Sequence, residues 1–287
     1  MTESNKEFKI KIIPDGPYMV TGGVPLRKMH QVCTEFGEPV EWKDEGKYEP
    51  ESSTYLLCRC GKTKTPPFCD GAHVKEGFVG LETVVTEGTF GRVLDYHGPD
   101  GFSVSKITRL CMLSGFCVLK NTDFVELTET SNIPWHKSRA IKMVEDCPSG
   151  SLVYKLEKDG PEIEPDLPMQ IADTFESTSY GEIQGPLWVM GGIPIERADK
   201  APFTPRNRVT LCSCGHSRIK PLCDGTHRAI FEHRLRTKAR QKQIEDLKSG
   251  EQKIDPQSAD KPNLSNQIGK ALKGLANLLT NDPPDQD

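Results

Sequence analysis

Residues 58–73 read C-R-C-G-K-T-K-T-P-P-F-C-D-G-A-H and hold three cysteines and one histidine. These side chains are Cys58, Cys60, Cys69 and His73. Thiolates and an imidazole so close together in a chain indicate a metal site. The C-x-C start fits zinc poorly, because structural zinc sites usually pair their cysteines as C-x2-4-C. Thiolates with an imidazole suit an iron–sulfur cluster, with zinc as the alternative.

The same pattern returns at residues 212–227 as C-S-C-G-H-S-R-I-K-P-L-C-D-G-T-H. Its corresponding side chains are Cys212, Cys214, Cys223 and His227. Each copy closes with Asp-Gly-x-His, at Asp70-Gly71 and at Asp224-Gly225, which predicts a tight turn into a helix. We expect the aspartate to cap that helix and the N–H groups of the turn to face bound sulfide.

The repeat extends beyond the cysteines. Residues 16–25 and 185–194 both follow the pattern G-P-x-x-V-x-G-G-[VI]-P. Alternating apolar residues at 8–13 and the Pro-Asp-Gly turn at 14–16 predict a pair of strands at the start of the first copy. Each copy is therefore expected to be a strand unit, a connection and a cluster motif, with the longer connection, residues 26–57, in the first copy.

Both copies resemble the motif C-x-C-x2-[ST]-x3-P-x-C-D-G-[SAT]-H of the CDGSH iron–sulfur family, also called NEET proteins, and match it at every position. The resemblance implies a 2Fe–2S cluster bound by three cysteines and one histidine at each copy. It also implies that the two copies lie side by side as an intramolecular pseudo-dimer whose strands form a shared cap.

Three further cysteines lie between the copies, and the simplest interpretation is that they are buried structural residues. Cys111 and Cys117 flank Ser114, and Cys147 precedes a proline. Bacterial ferredoxins bind a cluster with C-x2-C-x2-C and a remote Cys-Pro, and Ser114 stands in place of the second cysteine. The segment therefore resembles a divergent single-cluster ferredoxin. Three thiolates favour a 3Fe–4S cluster; the alternative is a 4Fe–4S cluster completed by Ser114, water or another side chain.

Further elements are expected around these motifs. Strands are predicted at 90–96 and 102–107, a loop at 134–136 and a helix at 138–145, from alternation, turn residues and helical spacing. The C-terminal part is predicted to contain a basic helical run over 234–242, a linker over 249–263 and an amphipathic helix over 264–279. That last helix is expected to pack on the chain or to bind a partner.

Composition and hydropathy favour some classes of function over others. The net charge of −4 gives no support for nucleic acid as a partner. No apolar run approaches the roughly 18 residues that a membrane span needs. Ten cysteines without a signal peptide at the start favour metal binding in a cytoplasmic protein over disulfides.

The predicted fold class is α+β, with two NEET-like β-rich units and a ferredoxin-like lobe between them. The predicted domains are a first CDGSH unit, a ferredoxin-like domain, a second CDGSH unit and a C-terminal helical region, at 1–80, 81–175, 176–233 and 234–287. No nucleotide fingerprint or nucleophile motif is present, so an electron carrier rather than an enzyme is predicted, with a reductase or oxidase as partner. The alternatives are cluster storage or transfer to an apo acceptor, and a redox-sensing interaction module.

Overall fold

Short strands separated by glycine and proline turns make up most of this α+β protein. A computed structural model describes residues 7–84 and 93–251, the last four by backbone alone. In chain order the strands are β1 (Lys9–Ile12), β2 (Tyr18–Thr21), β3 (Leu26–Cys33), β4 (Pro39–Lys47), β5 (Tyr55–Leu57), β6 (Val93–His97), β7 (Ser103–Ile107), β8 (Val118–Leu119), β9 (Thr122–Asp123), β10 (Leu152–Lys155), β11 (Gln170–Thr178), β12 (Gly181–Met190), β13 (Ile195–Glu196) and β14 (Arg208–Leu211). The helices are α1 (Ala72–Lys75), α2 (Phe124–Glu129), α3 (Pro134–Glu145) and α4 (Thr226–Glu251).

The sequence repeat appears as a repeated three-strand arrangement. In the first half β1 pairs antiparallel with β2, which pairs with β5. In the second half β11 pairs antiparallel with β12, which pairs with β14. Ile10 lies opposite Val20 in the first pair, and Ile171 lies opposite Val189 in the second. The predicted strands around the Pro-Asp-Gly turn are confirmed.

Each half also adds a strand to the sheet of the other half. β3, which follows β2, pairs parallel with β11, and β13, which follows β12, pairs parallel with β1. The Ile10 amide donates to the Pro194 carbonyl at 2.9 Å, and the Ile171 amide donates to the Pro25 carbonyl at 2.9 Å. The two exchanges occupy equivalent positions of the repeat, so each half completes the sheet of the other.

One hydrophobic core is shared by the two halves. Its buried members from both halves include Ile10, Tyr18, Val20, Leu57, Ile171, Leu187, Val189 and Leu211. Burying one such side chain contributes about 1.5–3 kcal/mol to stability. Separating the halves would expose this surface, so the core links the folding of one half to that of the other.

A buried charge network joins the halves as well. The Glu82 carboxylate lies 3.7 Å from the Arg59 guanidinium and 3.4 Å from that of Arg197, and all three side chains are at most 2% exposed. Burial raises the pKa of Glu82, while the two arginines oppose that change. Removing the carboxylate would leave two buried cations without their shared partner.

Three secondary-structure elements differ from those expected from the predicted segments. The long connection of the first half contains the antiparallel hairpin β3–β4, which was not predicted. The boundary placed between 175 and 176 falls inside β11, because that strand begins at Gln170, which lies opposite Met190. The boundary placed between 233 and 234 falls inside α4.

The middle segment has its own small core. β6, β7 and β10 form a sheet, and α2 and α3 pack near it around Phe102, Val104, Phe124 and Met143. The predicted strands at 90–96 and 102–107 correspond to β6 and β7, and residues 90–92 lie outside the described residues. The prediction of a loop at 134–136 is wrong, because these residues form the first turn of α3. The helix begins at Pro134, whose fixed φ suits that position.

Helix α4 confirms the predicted basic helical run over 234–242. It continues to Glu251, so the start of the predicted linker is helical. The remainder of that linker and the predicted amphipathic helix over 264–279 lie outside the described residues. The chain divides into units 1–236 and 237–287, and the sites below all belong to the first. Within the described ranges, no helix is both long and apolar enough to cross a membrane.

Candidate metal centres

The first motif brings its four predicted ligands together as two close pairs. The sulfur atoms of Cys58 and Cys60 are 3.7 Å apart, and the Cys69 sulfur lies 3.4 Å from Nδ1 of His73. These separations resemble the edge of a tetrahedron of metal ligands, which is about 3.8 Å for metal–sulfur bonds of about 2.3 Å. Each pair is therefore spaced to bind one metal ion.

The second motif repeats this arrangement. The sulfur atoms of Cys212 and Cys214 are 3.8 Å apart, and the Cys223 sulfur lies 3.3 Å from Nδ1 of His227. In both motifs the histidine therefore turns the same ring nitrogen toward its partner thiol. The two sequence motifs therefore have the same spacing of candidate ligands.

Backbone hydrogen bonds close each motif into the same loop. The Cys58 amide donates to the Pro67 carbonyl at 2.8 Å, and the Cys212 amide donates to the Pro221 carbonyl at 2.8 Å. The hydroxyl at the Ser/Thr position of the motif makes the same bond in both copies. Ser217 Oγ donates to the Leu222 carbonyl at 2.6 Å, and Thr63 Oγ1 donates to the Phe68 carbonyl at 2.7 Å. These bonds bring the distant third cysteine back to the C-x-C pair.

The predicted tight turn at Asp-Gly is present, and its glycines are left-handed, with φ of 84° at Gly71 and 83° at Gly225. Asp70 was expected to be the N-cap of α1. The N-cap is Gly71, and Asp70 lies one residue before it. Asp70 accepts from the Ala72 and Lys64 amides at 3.0 and 2.8 Å. Asp224 accepts equivalent bonds from the Thr226 and Arg218 amides at 3.1 and 3.0 Å. The carboxylate thus ties the turn to the loop.

The ligand geometry fits two metal ions at each motif better than one. A single tetrahedral zinc would bring all four ligand atoms into contact distance of one another. Across the described ranges, however, no group of three or more His, Cys, Asp or Glu side chains converges on a single ion. Two separate pairs are what a 2Fe–2S cluster requires, since each of its irons takes two protein ligands.

The thiols of the second motif are buried, and those of Cys212 and Cys214 share a hydrogen bond. A hydrogen bond from Cys214 lowers the pKa of the Cys212 thiol to about 6, with backbone N–H groups such as that of Ser217 contributing. Cys214, as the donor, has a raised pKa, and burial raises the pKa of Cys223. Backbone amides also reach the sulfurs: the Gly225 amide donates to the Cys223 sulfur at 3.5 Å. Hydrogen bonds therefore favour the anionic form of sulfur at Cys212, whereas burial disfavours it at Cys223.

The two motifs differ at the outer nitrogen of the histidine. His227 is 1% exposed, and its Nε2 lies 3.1 Å from a carboxylate oxygen of Glu176. His73 is only partly buried. Sequence reasoning missed Glu176, because it lies on β11 far from the motif. Nothing in the sequence of that strand, QIADTFEST, distinguishes Glu176 from its other acidic residue, Asp173.

The three cysteines of the middle segment line one cavity. Cys111, Cys117 and Cys147 surround it together with Ser114, and its volume is about 220 Å³. Burial raises the pKa of Cys117 to about 11, while Lys106, which also lines the cavity, lowers it. The structure thus brings together all the middle-segment residues that the sequence singled out.

The hairpin β3–β4 holds the loops of this cavity in place. Gln31 donates its side-chain N–H to the Ser114 carbonyl at 2.7 Å. Trp42 donates its indole N–H to the Asp146 carbonyl at 3.1 Å, one residue before Cys147. The long connection of the first half therefore supports the candidate site of the middle segment.

The second motif touches the loop between Cys111 and Ser114. A Cβ added at Gly225 would lie 2.8 Å from the Met112 carbonyl oxygen and 2.9 Å from the Leu113 side chain. At Gly71, the equivalent residue of the first motif, a Cβ would meet nothing within 4 Å. The middle-segment cavity therefore adjoins the second motif through this close backbone approach.

Alanine at these two glycines tests that contact. Both substitutions place alanine in the left-handed region at a cost of roughly 1 kcal/mol. Gly225→Ala must in addition displace the loop at Met112, which we expect to cost about 1–3 kcal/mol more than Gly71→Ala. Denaturant unfolding of the two variants measures the difference. Equal destabilisation would contradict the contact.

Each half of the chain thus contains one set of three thiols and one imidazole, arranged as two close pairs. The family model for the iron-binding zinc finger of CDGSH type matches the chain twice, at residues 15–74 and 184–228. Both regions match that family model, which is consistent with a tandem arrangement of two CDGSH-type domains. The CDGSH family is associated with iron–sulfur binding and with electron or cluster transfer, and its proteins are typically not enzymes. Comparison with curated proteins and with solved structures gave no match.

Proposed function

We propose that the protein transfers single electrons through three iron–sulfur centres. Two are 2Fe–2S clusters, held by Cys58, Cys60, Cys69 and His73 and by Cys212, Cys214, Cys223 and His227. The third is a 3Fe–4S cluster, held by Cys111, Cys117 and Cys147 in a ferredoxin-like lobe. The observation that carries the proposal is the division of each motif into two ligand pairs at 3.3–3.8 Å.

The chain's own residues would bind each cluster, exclude water and limit rearrangement. An iron–sulfur cluster accepts and returns one electron with little change in ligand positions. Cys212, Cys214 and Cys223 are buried, and Cys58 and Cys60 are also buried. Backbone N–H groups at Gly225 and His216 donate to the sulfurs of the second motif. Rigid ligands in a water-poor site favour electron transfer.

An intramolecular pseudo-dimer would place the two CDGSH centres side by side. Cys60 and Cys214 form a β-bridge with each other. A Cβ at Gly61 would lie 2.5 Å from the Cys214 carbonyl oxygen, and one at Gly215 would lie 2.7 Å from that of Cys60. This reciprocity, together with the exchange of β3 and β13, supports a two-fold relation between the halves.

The 3Fe–4S assignment for the third centre follows from its ligand supply. A cubane with four irons needs a ligand at each iron, and the cavity offers three thiols. A serine hydroxyl gives up its proton far less readily than a thiol, so Ser114 is a poor fourth ligand. The loop of this cavity contacts the second motif at Gly225, and that proximity suits electron transfer between the third centre and the cluster of residues 212–227.

Cluster transfer to an apo acceptor is the second candidate function, and one observation favours it. His73 is partly exposed, so the first cluster would be open to an acceptor or to protons at that ligand. The acceptor would be an apo iron–sulfur protein. For electron transfer the partner would instead be a reductase or oxidase.

One experiment separates these functions. Protein made anaerobically is reduced and reoxidised repeatedly, and its optical and spin-resonance spectra are followed with and without an apo ferredoxin. Full recovery of the spectra with clusters retained supports electron transfer. Loss of the 2Fe–2S signal with its appearance in the ferredoxin would replace electron transfer by cluster transfer.

Acid stability tests the histidine ligands directly. Imidazole binds iron only when it is neutral, and free histidine takes up a proton at about pH 6.5. We expect both 2Fe–2S clusters to be lost faster as the pH falls to about 6 and below. Converting His73 and His227 to cysteine should slow that loss and lower the reduction potential, because a neutral ligand becomes anionic. Unchanged acid loss and potential in the double variant would exclude both histidines as ligands.

A further inference from the structure

The second motif contains a contact that the first does not have. Nε2 of His227 lies 3.1 Å from Oε1 of Glu176, and the two side chains are 1% and 0% exposed. Nδ1 of the same ring faces the Cys223 sulfur at 3.3 Å. With a carboxylate as acceptor, Nε2 carries the hydrogen, and Nδ1 keeps its lone pair for a metal.

Neighbouring residues hold the carboxylate of Glu176 in place. Its other oxygen pairs with Arg228 Nη1 at 2.5 Å. Gly185 leaves room for it, since a Cβ there would lie 3.0 Å from Oε1 of Glu176. The two oxygens of Glu176 thus have different partners, Arg228 and the His227 ring, which hold the carboxylate in position. Glu176 is thus a fixed acceptor for the His227 ring.

The difference between the motifs arises from the length of one hairpin. β11 runs to Thr178, whereas its counterpart β1 ends at Ile12. Counting from the equivalent residues Ile10 and Ile171, the position of Glu176 corresponds to Asp15 in the first half. Asp15 is exposed and accepts from the Gly80 amide at 2.7 Å. Across the contacts of the described residues, none joins a carboxylate to His73.

A hydrogen bond from the outer nitrogen of a ligating histidine fixes its tautomer and makes it a stronger donor to the metal. A stronger donor stabilises the oxidised, more positive state of iron and so lowers the reduction potential. We propose that Glu176 is a positioning residue that makes the 212–227 centre the more tightly held and lower-potential member of the CDGSH pair. This inference rests on the proposed function, since it requires a 2Fe–2S cluster at each motif.

The first test is Glu176→Gln in the full-length protein with its clusters. We expect one of the two 2Fe–2S midpoint steps to move to a more positive potential while the other stays in place. Removing such an outer partner typically lowers metal affinity 10- to 100-fold, so we expect loss of cluster from one site to a chelator to become about 10- to 100-fold faster. Potentiometric titration followed by spin resonance, and optical bleaching, provide the two readouts.

Glu182→Gln is the matched control. Glu182 lies on the same hairpin and also pairs with a histidine, His30, at 2.6 Å, away from the motif ligands. That variant should shift neither midpoint step. A shift of equal size with Glu182→Gln would show a general charge effect and overturn the positioning role.

A double-variant comparison tests whether Glu176 acts through the imidazole. In a His227→Cys background there is no ring to orient, so adding Glu176→Gln should leave the potential unchanged. A shift that persists in that background overturns the proposal, as does a Glu176→Gln variant whose two steps both match wild type.

A measurement on wild-type protein keeps the test independent of any variant's folding. With ¹⁵N-labelled histidine, pulsed spin resonance of the reduced protein should resolve two unequal couplings between iron and nitrogen. A single iron–nitrogen coupling shared by both sites would overturn the proposed difference between the two centres and leave the proposed function standing. Wild-type protein with no reducible 2Fe–2S cluster would overturn the proposed function as well, which distinguishes the two failures.

Discussion

Replacing Cys58 with alanine is expected to abolish the first 2Fe–2S cluster and to weaken the second half of the protein. Metal binding is folding free energy in small metal domains, with apparent values of about 10–16 kcal/mol for structural zinc. Because β3 and β13 exchange between the halves and Tyr18 donates to the Cys212 carbonyl at 2.9 Å, part of that loss should reach residues 212–227. Hydrogen exchange resolved by peptide measures protection in both motifs.

Cys33→Ala is the control for this experiment, because Cys33 lies at the end of β3 and is not one of the candidate ligands. It should retain all clusters and the protection of both motifs. A Cys58→Ala protein that loses its own cluster while residues 212–227 stay fully protected would mean that the halves fold independently. That result would contradict the pseudo-dimer.

Replacing Ser114 with cysteine is expected to convert the third centre from 3Fe–4S to 4Fe–4S. Ser114 lines the same cavity as Cys111, Cys117 and Cys147, so a thiol there would supply the missing ligand. One added iron per chain and a change in the spin-resonance signal of the oxidised protein would follow. Iron and sulfide analysis together with the spectra measures the conversion.

Ser114→Ala separates the two accounts of the wild-type centre. If three thiolates alone hold a 3Fe–4S cluster, the alanine variant should keep the wild-type ratio of iron to sulfide. If Ser114 is a ligand of a 4Fe–4S cluster, the same substitution should remove one iron and thereby contradict the 3Fe–4S assignment.

The ligand sets could be predicted from sequence because their spacing is local. Eight of the eleven predicted ligands fall within two short motifs whose residue order fixes a loop, and the structure gives both motifs the same ligand pairs. The middle cysteines are further apart, yet the Cys-Pro pattern identified Cys147, which lines the cavity with Cys111. Short-range sequence patterns were therefore sufficient to predict most of the candidate ligands.

Contacts between distant segments could not be predicted in this way. Glu176 reaches His227 only because β11 extends beside β12, and pairing of that kind leaves no local signature. The exchange of β3 and β13 depends equally on long-range strand pairing. The start of α3 was missed for a different reason, since proline at 134 indicates either a loop or a first helical turn.

The central claim is that three iron–sulfur centres occupy this chain, and metal and sulfide analysis of anaerobically purified protein tests it most directly. The account predicts about seven iron and eight sulfide per chain, with spin-resonance signals of 2Fe–2S and 3Fe–4S clusters. Stoichiometric zinc without acid-labile sulfide would contradict the iron–sulfur assignment at every site. Four iron and four sulfide would contradict the third centre alone.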